Sequence, residues 1–389
     1  MVVQERVMKI PNNLTIWVIL ASATLTAMAG SIVAPALNLM REDLNVDPAS
    51  AGLIVTAHGL FVALFSPLFG SLMDRTGAKK PFVFGLLLYS VAGGSGLIIQ
   101  SYWLLLMSRV LLGIGIAAIT NAITVIILNL YTDTERNKIM GWRGSASSFG
   151  GIIWPLIGGT LGSFSWHLPF SAYLVGIPLG VLALITIPEV EKEITLQEGR
   201  NSLIKVLKDN PLLFVIYGLT FLQSVLLYGV IVFLPQLLET IDISNPFYIS
   251  LFITVMALSA GATSMMYGKI RKRLSYTLVV FCALALWTGG FAAVSFVFSS
   301  LIIAGSVILF GIGAGMVLPT VMVMVGDIGP LSFRGRISSY LGSSGFLGQF
   351  LSPIIFAPII SLIGLSGIFQ VSAGVCAVLF LVVLMSMKK

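Results

Sequence analysis

Residues 70–80 read Gly-Ser-Leu-Met-Asp-Arg-Thr-Gly-Ala-Lys-Lys and form a short polar gap between two long apolar stretches of the sequence. Three cations lie in this gap, at Arg75, Lys79 and Lys80. Loops that are rich in Lys and Arg stay on the cytoplasmic side of a membrane. The segment therefore predicts two membrane-spanning stretches that are joined by a turn on the cytoplasmic side.

The same pattern extends over the whole chain. All of the 22 Lys and Arg residues except Arg41 and Arg109 fall in every second polar gap. The alternation predicts twelve crossings with both chain ends in the cytoplasm, and each crossing should be a helix because lipid offers backbone groups no partner. The predicted spans are 14–38, 49–73, 81–100, 103–128, 139–162, 168–188, 212–237, 247–268, 276–297, 300–326, 337–363 and 367–387.

The composition is also that of a membrane protein. The chain is 57% hydrophobic and 10% charged, with a mean hydropathy of +1.02, whereas a soluble domain carries about 25% charged residues. The net charge of +7 is spread over several loops. It therefore indicates contact with anionic lipid head groups rather than with nucleic acid. Cys282 and Cys376 both lie in apolar stretches and imply no disulfide framework.

A second regularity divides the chain into halves on either side of a charged gap from Glu189 to Pro211. A shift of 198 residues aligns arginines, a proline and glycines of the first half with identical residues of the second. The aligned pairs are Gly70/Gly268, Arg75/Arg273, Ser108/Ser306, Gly113/Gly311, Gly115/Gly313, Arg136/Arg334, Gly144/Gly342, Gly150/Gly348 and Pro155/Pro353. We therefore predict an all-α membrane protein of two pseudo-symmetric six-helix bundles, at 1–190 and 211–389, joined by a cytoplasmic linker at 191–210. Parallel repeats of this kind enclose a cavity that opens to each side in turn.

The first polar gap resembles the G-x-L-x-D-R-x-G-x-K/R signature of the major facilitator superfamily. The span count, the long middle gap and the half-repeat resemble that family over the whole chain. The resemblance implies a conformational latch that holds the two halves in the outward-facing state, and its residues would be Gly70, Asp74, Arg75, Gly77, Lys79 and Lys80. The second half has Lys272 in place of Asp74, so we expect a one-sided latch. The simpler alternative is a cationic loop that follows a helix end.

Arg109 is the one charge well inside a predicted span, where a charge costs about 3 kcal/mol. We therefore expect it to face the interior of its bundle. With Gly113 and Gly115 it resembles the fourth-span motif of the family, whose arginine is implicated in proton transfer. Val307 takes its place in the second half. The alternative is an arginine that only hydrogen-bonds helix carbonyls and fixes the packing.

The fifth predicted span resembles the antiporter motif of the family, G-x8-G-x3-G-P-x2-G-G. A proline kink beside small residues lets helices touch, and in the family the motif marks exporters that exchange substrate for protons. A generic kinked, glycine-rich helix is the alternative. Trp154 stands where the motif has a glycine. The motif residues in this chain are Gly141, Gly150, Trp154, Pro155, Gly158 and Gly159.

Three residues are candidates for proton coupling: Arg109, Asp74 and His58. The predicted first span contains no carboxylate. The pairing of Asp74 must change when the latch opens. His58 lies in the middle of a span, and the side chain of histidine titrates near neutral pH. The alternative is a neutral histidine that only packs.

The resemblance implies that the first, fourth, seventh and tenth spans line the substrate cavity. Each polar or aromatic residue on them could instead make a hydrogen bond between helices. The candidates are Asn38, Asn121, Gln223 and Tyr228.

We therefore expect a proton-coupled secondary transporter that exports small hydrophobic or amphipathic compounds, as multidrug efflux proteins do. The alternative is a major facilitator for a sugar, an amino acid or another metabolite, working as an exporter or a proton symporter. We expect a monomer in the plasma membrane that contacts lipid and a small-molecule substrate. Protons would be the coupling ion, with no other cofactor, no metal and no nucleic acid. The sequence contains no nucleophile elbow or phosphate loop that would favour an enzyme, and short tails argue against a receptor or scaffold.

Overall fold

The described part of the chain folds into twelve long helical segments, which we number α1 to α12. The computed structural model describes residues 13–189, 210–296, 299–328 and 334–386, without the side chains of Asp74, Asp133, Phe296, Arg334, Arg336 and Ser386. The segments are α1 (Asn13–Asp43), α2 (Pro48–Thr76), α3 (Lys79–Gly94), α4 (Tyr102–Leu130), α5 (Asp133–Gly162), α6 (Leu168–Thr186), α7 (Leu212–Glu239), α8 (Pro246–Arg271), α9 (Tyr276–Phe296), α10 (Ser300–Ile328), α11 (Arg334–Ile363) and α12 (Leu365–Ser386).

The predicted all-α membrane fold is confirmed, since every predicted span has its helix. Ten of the segments in the described ranges are long and apolar enough to cross a membrane. The other two are α3, which has 16 residues, and α5, whose first turns are polar. Two segments are not regular throughout, because α1 includes a 3-10 turn at Ala34–Ala36 and α6 begins as a 3-10 helix at Leu168–Val175.

Most differences at the helix ends are short, but two helices extend five or six residues beyond their predicted ends. The helix α5 begins at Asp133 rather than at 139, and α1 continues to Asp43. Arg41, which lies in the polar gap between the first two predicted spans, therefore lies within a helix. The physical reason is length, because the 30 residues of α5 span about 45 Å whereas the hydrocarbon layer is about 30 Å thick. The polar ends of such helices project into the head-group region.

Helix starts and helix contacts repeat between the halves at the offset seen in the sequence. Pro48 begins α2 and Pro246 begins α8, after an N-cap aspartate or asparagine in each case. A Cβ on Gly113 of α4 would meet the carbonyl oxygen of His58, and a Cβ on Gly311 of α10 would meet that of Met256. These are equivalent positions in the two halves. Of the predicted linker at 191–210, every residue except Asn210 lies outside the described ranges.

The two bundles meet along two seams, α2 against α11 and α5 against α8. At one end, which carries Pro48, Pro235 and Pro246, the seams are closed. We call it the sealed end. At the other end, glycines of the seam helices have no neighbouring atom within 4 Å of a Cβ built on them, and we call this the open end. The glycines are Gly70, Gly141, Gly144, Gly268 and Gly342.

Candidate functional site

Polar contacts of α7 with α1 and with the start of α2 close the sealed end. The amide nitrogen of Asn38 donates to the carbonyl oxygen of Pro235 at 2.8 Å. The amide nitrogen of Gln236 reaches the carbonyl oxygen of Pro48 at 3.5 Å. Beyond them Arg41 and Glu239 form an ion pair at 3.4 Å, the one ion pair among the described side chains. Asn38, predicted to line the substrate cavity, therefore lies in the sealed end, and its side chain is buried.

A buried polar pair lies deeper in the α2–α11 seam. The ring nitrogen Nε2 of His58 is 2.9 Å from the amide nitrogen of Gln349. Both side chains are buried, with 2% and 3% exposure. A Cβ on Gly59 would lie 2.8 Å from the carbonyl oxygen of Phe346, so the backbones of α2 and α11 approach closely at this level. The candidate His58 thus contacts the opposite bundle.

The helix α5 brings the glycines predicted as the antiporter motif against two different partners. A Cβ on Gly158 would overlap the carbonyl oxygen of Ile32 on α1 of the same bundle. A Cβ on Gly159 would lie 2.6 Å from the carbonyl oxygen of Pro246 on α8 of the other bundle. Only glycine lets both neighbours approach so closely. Pro155 is buried inside the helix.

The remaining positions of that motif differ in how closely they pack. Gly150 packs against Thr24 of α1, while Gly141 near the open end meets nothing. Trp154, the departure from the motif, is half-buried against the core. Its indole nitrogen is buried without a hydrogen-bond partner in the described structure.

Arg109 faces the interior of its own bundle, as predicted, and is fully buried. Its guanidinium bonds the hydroxyl of Ser108 at 3.2 Å, that of Tyr173 at 3.3 Å and the carbonyl oxygen of Gly93 at 3.5 Å. It also lies 5.0 Å from the centroid of the Phe170 ring, a cation–π contact. No carboxylate among the described side chains pairs with it. Its charge is therefore held by hydroxyls, a carbonyl and rings.

The residues predicted as the latch lie at the open end. Gly70 lies in the last turns of α2, and Gly77 has a φ of 77° that allows the sharp turn into α3. Arg75 and Lys80 are exposed and Lys79 is half-buried. The side chain of Asp74 lies outside the described part of the structure, so its role stays a prediction.

The other cavity candidates occupy three different environments. Asn121 of α4 is half-buried and donates to the carbonyl oxygen of Ala117 at 2.7 Å. Gln223 of α7 donates to the carbonyl oxygen of Ala314 on α10 at 3.3 Å. Its amide oxygen is buried without a partner among the described residues. Tyr228 is half-buried on α7.

Residues 19–276 and 216–389 match the family model described as Major Facilitator Superfamily. The chain belongs to the major facilitator superfamily. One relative is the Bacillibactin exporter of Bacillus subtilis (strain 168), 26% identical, with 86% of this chain and 87% of the exporter covered. Another is Multidrug resistance protein 1 of the same organism, 30% identical over 48% of each chain. That second match spans about half of either protein.

The fold is also similar to solved major facilitator structures. The crystal structure of the nucleoside transporter NupG superposes with a TM-score of 0.75 over 97% of this chain and 100% of that one. The identity is 14%, so the likeness concerns the fold alone.

Three features of this major facilitator were not identified from the sequence. Arg143, in the first half of α5, donates to the hydroxyl of Thr124 on α4 at 2.8 Å. The Arg41–Glu239 pair could have been found, because the two residues are 198 positions apart, which is the repeat offset. Gln349 gave a weaker signal, as the one amide side chain in its predicted span.

Proposed function

We propose that this major facilitator exports small hydrophobic or amphipathic compounds across the plasma membrane in exchange for protons. The observation that carries the proposal is the arrangement of the seams, closed at the sealed end and apart at the open end. Such an arrangement gives a substrate access from one face only. Rocking the bundles about the seams exposes the other face, which is alternating access.

The direction of transport is argued from topology and from relatives. From the cationic gaps we infer that the open end, both chain termini and the linker lie in the cytoplasm. The structure is then inward-facing, the state in which an exporter takes up its substrate. The printed names of the relatives are Bacillibactin exporter and Multidrug resistance protein 1, and they favour export of this kind over the alternative solute classes. We infer a monomer that works without nucleic acid, metal or other cofactor, with protons as the coupling ion.

The substrate chemistry follows from what the helices carry. In the described helices, Asp and Glu occur only near helix ends, and the interior is dominated by apolar and aromatic side chains. Binding therefore rests on apolar contact, to which the free amide oxygen of Gln223 adds one acceptor. Neutral or weakly anionic compounds fit this interior as well as cations do. Arg109, Asp74 and His58 are the residues we propose for proton coupling.

Everted membrane vesicles that contain the protein test the proposal. Their lumen corresponds to the cell exterior. We expect an acidic lumen to drive uptake of at least one of three probes, ethidium, chloramphenicol or fluorescein, and we expect a proton uncoupler to abolish that uptake. Movement of the probe out of the vesicles together with protons, or no difference from vesicles without the protein, would contradict the proposal.

A further inference from the structure

The pair His58–Gln349 is placed where the bundles separate in each transport cycle. His58 lies about 15 Å along α2 from its start at Pro48, and Gln349 lies in the middle of α11. The two side chains are 291 residues apart in sequence and belong to different bundles. Their hydrogen bond must therefore break when the sealed end opens and form again when it closes.

The second seam has no polar pair at the equivalent positions. At the repeat offset of 198 residues, His58 corresponds to Met256 of α8 and Gln349 corresponds to Gly151 of α5. The α5–α8 seam thus has an apolar side chain and a glycine at these positions, and a Cβ on Gly151 would have no atom within 4 Å. Burying two polar side chains costs free energy unless they bond each other. The α2–α11 seam therefore contains a buried polar pair that has no equivalent in the other seam.

The surroundings of the imidazole are apolar, with one exception. Gly30 of α1 packs against the ring, since a Cβ there would lie 3.4 Å from the carbon Cε1 of His58. Arg109 of α4 is the charged group that acts on the ring, and the carbonyl oxygen of Val55 lies beside it. Around the ring, α1, α2 and α11 contribute no charged side chain among those described. The other ring nitrogen, Nδ1, makes no hydrogen bond with the described residues.

We propose that His58 carries the exchanged proton and that Gln349 is the residue that positions it in both protonation states. This inference rests on the proposed proton exchange. Neutral imidazole accepts at Nε2 from the amide nitrogen of Gln349, with its own proton at Nδ1 beside Val55. Imidazolium donates at Nε2, and the amide oxygen of Gln349 can accept after half a turn of the amide. A glutamine side chain carries both a donor and an acceptor, so one partner fits both forms.

The cycle then balances one proton. When α2 and α11 separate at the sealed end, Nε2 of His58 takes a proton from the outer water. When the seam closes, the amide oxygen of Gln349 accepts from that N–H, and the sealed end prevents return of the proton to the outside. The positive charge of Arg109 disfavours a second cation nearby, so Nε2 of His58 gives the proton to water that enters from the open end, and the imidazole returns to its neutral form. No electron transfer is involved.

Purified protein in liposomes separates this assignment from the proposed function, with ethidium as the probe. Exchange of ethidium at equal pH on both sides reports alternating access without net proton movement. Accumulation against an imposed pH gradient reports proton coupling. We expect His58→Gln to retain the exchange and to lose the accumulation. Retained accumulation would overturn the role of His58, and absence of both activities from the wild-type protein would overturn the proton exchange itself.

Substitutions of Gln349 give an independent readout, the pH profile of gradient-driven uptake. Gln349→Glu places a carboxylate beside the imidazolium, so the midpoint should move to higher pH by about one unit or more. Gln349→Leu removes the acceptor, so the midpoint should move to lower pH. The control Thr254→Val removes a hydrogen bond from Thr254 to the carbonyl oxygen of Ile152 across the other seam, and it should leave the midpoint unchanged. Identical midpoints in the wild type and both Gln349 variants would contradict the proposal.

Discussion

Arg41 and Glu239 are equivalent residues of the two repeats, and they form an ion pair with each other across the sealed end. They are 198 positions apart, and the guanidinium nitrogen Nη2 of Arg41 lies 3.4 Å from the carboxylate oxygen Oε2 of Glu239. Asn38 and Gln236 are also 198 positions apart. The side-chain amide of each donates to a backbone carbonyl of the opposite bundle. The polar closure of the sealed end is thus built from equivalent positions near the pseudo-symmetry axis.

Reversal of the charge at Glu239 should loosen this closure. The side chains are 25% and 30% exposed, so the pair contributes only about 0.2–1 kcal/mol. Glu239→Gln should therefore raise the accessibility of the sealed end by at most roughly fivefold, and Glu239→Arg should raise it further because two cations then face each other. The measurement is labelling of Ala36→Cys by an impermeant maleimide from outside, with Cys282 and Cys376 replaced by serine. The double variant Arg41→Glu with Glu239→Arg should restore slow labelling. If it labels as fast as Glu239→Arg alone, the pair does not hold the sealed end closed.

Two glycines of the same motif should respond in opposite ways to a larger side chain. Gly158→Val would overlap the carbonyl oxygen of Ile32, and overpacking of this kind costs about 1–3 kcal/mol. Gly141→Ala meets no atom within 4 Å and should stabilise α5 by up to about 1 kcal/mol through helix propensity. Thermal unfolding of the two variants in detergent is the measurement. Equal stabilities would show that the close approach of α1 and α5 is not a constraint.

The charge of Arg109 can be separated from its packing. Arg109→Met keeps much of the buried volume and removes the charge, so we expect a folded protein that has lost proton-driven uptake. Arg109→Ala should also lose stability, by about 2–5 kcal/mol, because it leaves a cavity. Val307→Met changes the equivalent position of the second half and should leave proton-driven uptake intact. The assay is dye accumulation in vesicles, with unfolding in detergent alongside. Normal proton-driven uptake by Arg109→Met would show that this arginine contributes only to packing.

The sequence was sufficient to predict the helices and the repeat. Helices follow from local apolar length, and the repeat is visible as matching residues at one fixed offset. Apolar length and cation placement located the spans, and only helix ends such as the start of α5 at Asp133 were missed, since polar residues there still form helix in the head-group region. Contacts between the bundles were not predictable in the same way. His58 and Gln349 are 291 positions apart, and no local pattern links them. The placement of Asn38 in the sealed end likewise depends on which way the bundles are tilted, which a single sequence does not encode.

The predicted latch has a matched pair of tests in the two halves. Asp74→Asn should leave expression normal and reduce transport, because the carboxylate could no longer pair with a cation when the open end closes. Lys272→Asn alters the equivalent position in the second half and should have little effect on transport, since the latch is predicted to be one-sided. The measurement for both variants is the rate of probe efflux from cells. Each rate is normalised to the amount of protein in the membrane. Undiminished efflux with Asp74→Asn would remove the latch.

The central claim is that the two bundles seal one end at a time, and spin-label distances along a single seam test it most directly. Two double-cysteine variants, both free of the native cysteines, report on opposite ends of α5 and α8. Ser163→Cys with Tyr248→Cys reports on the sealed end, and Asn137→Cys with Lys269→Cys reports on the open end. Across a pH series with and without ethidium, every condition that lengthens the first distance should shorten the second. Two distances that change together, or that never change, would contradict alternating access in this protein.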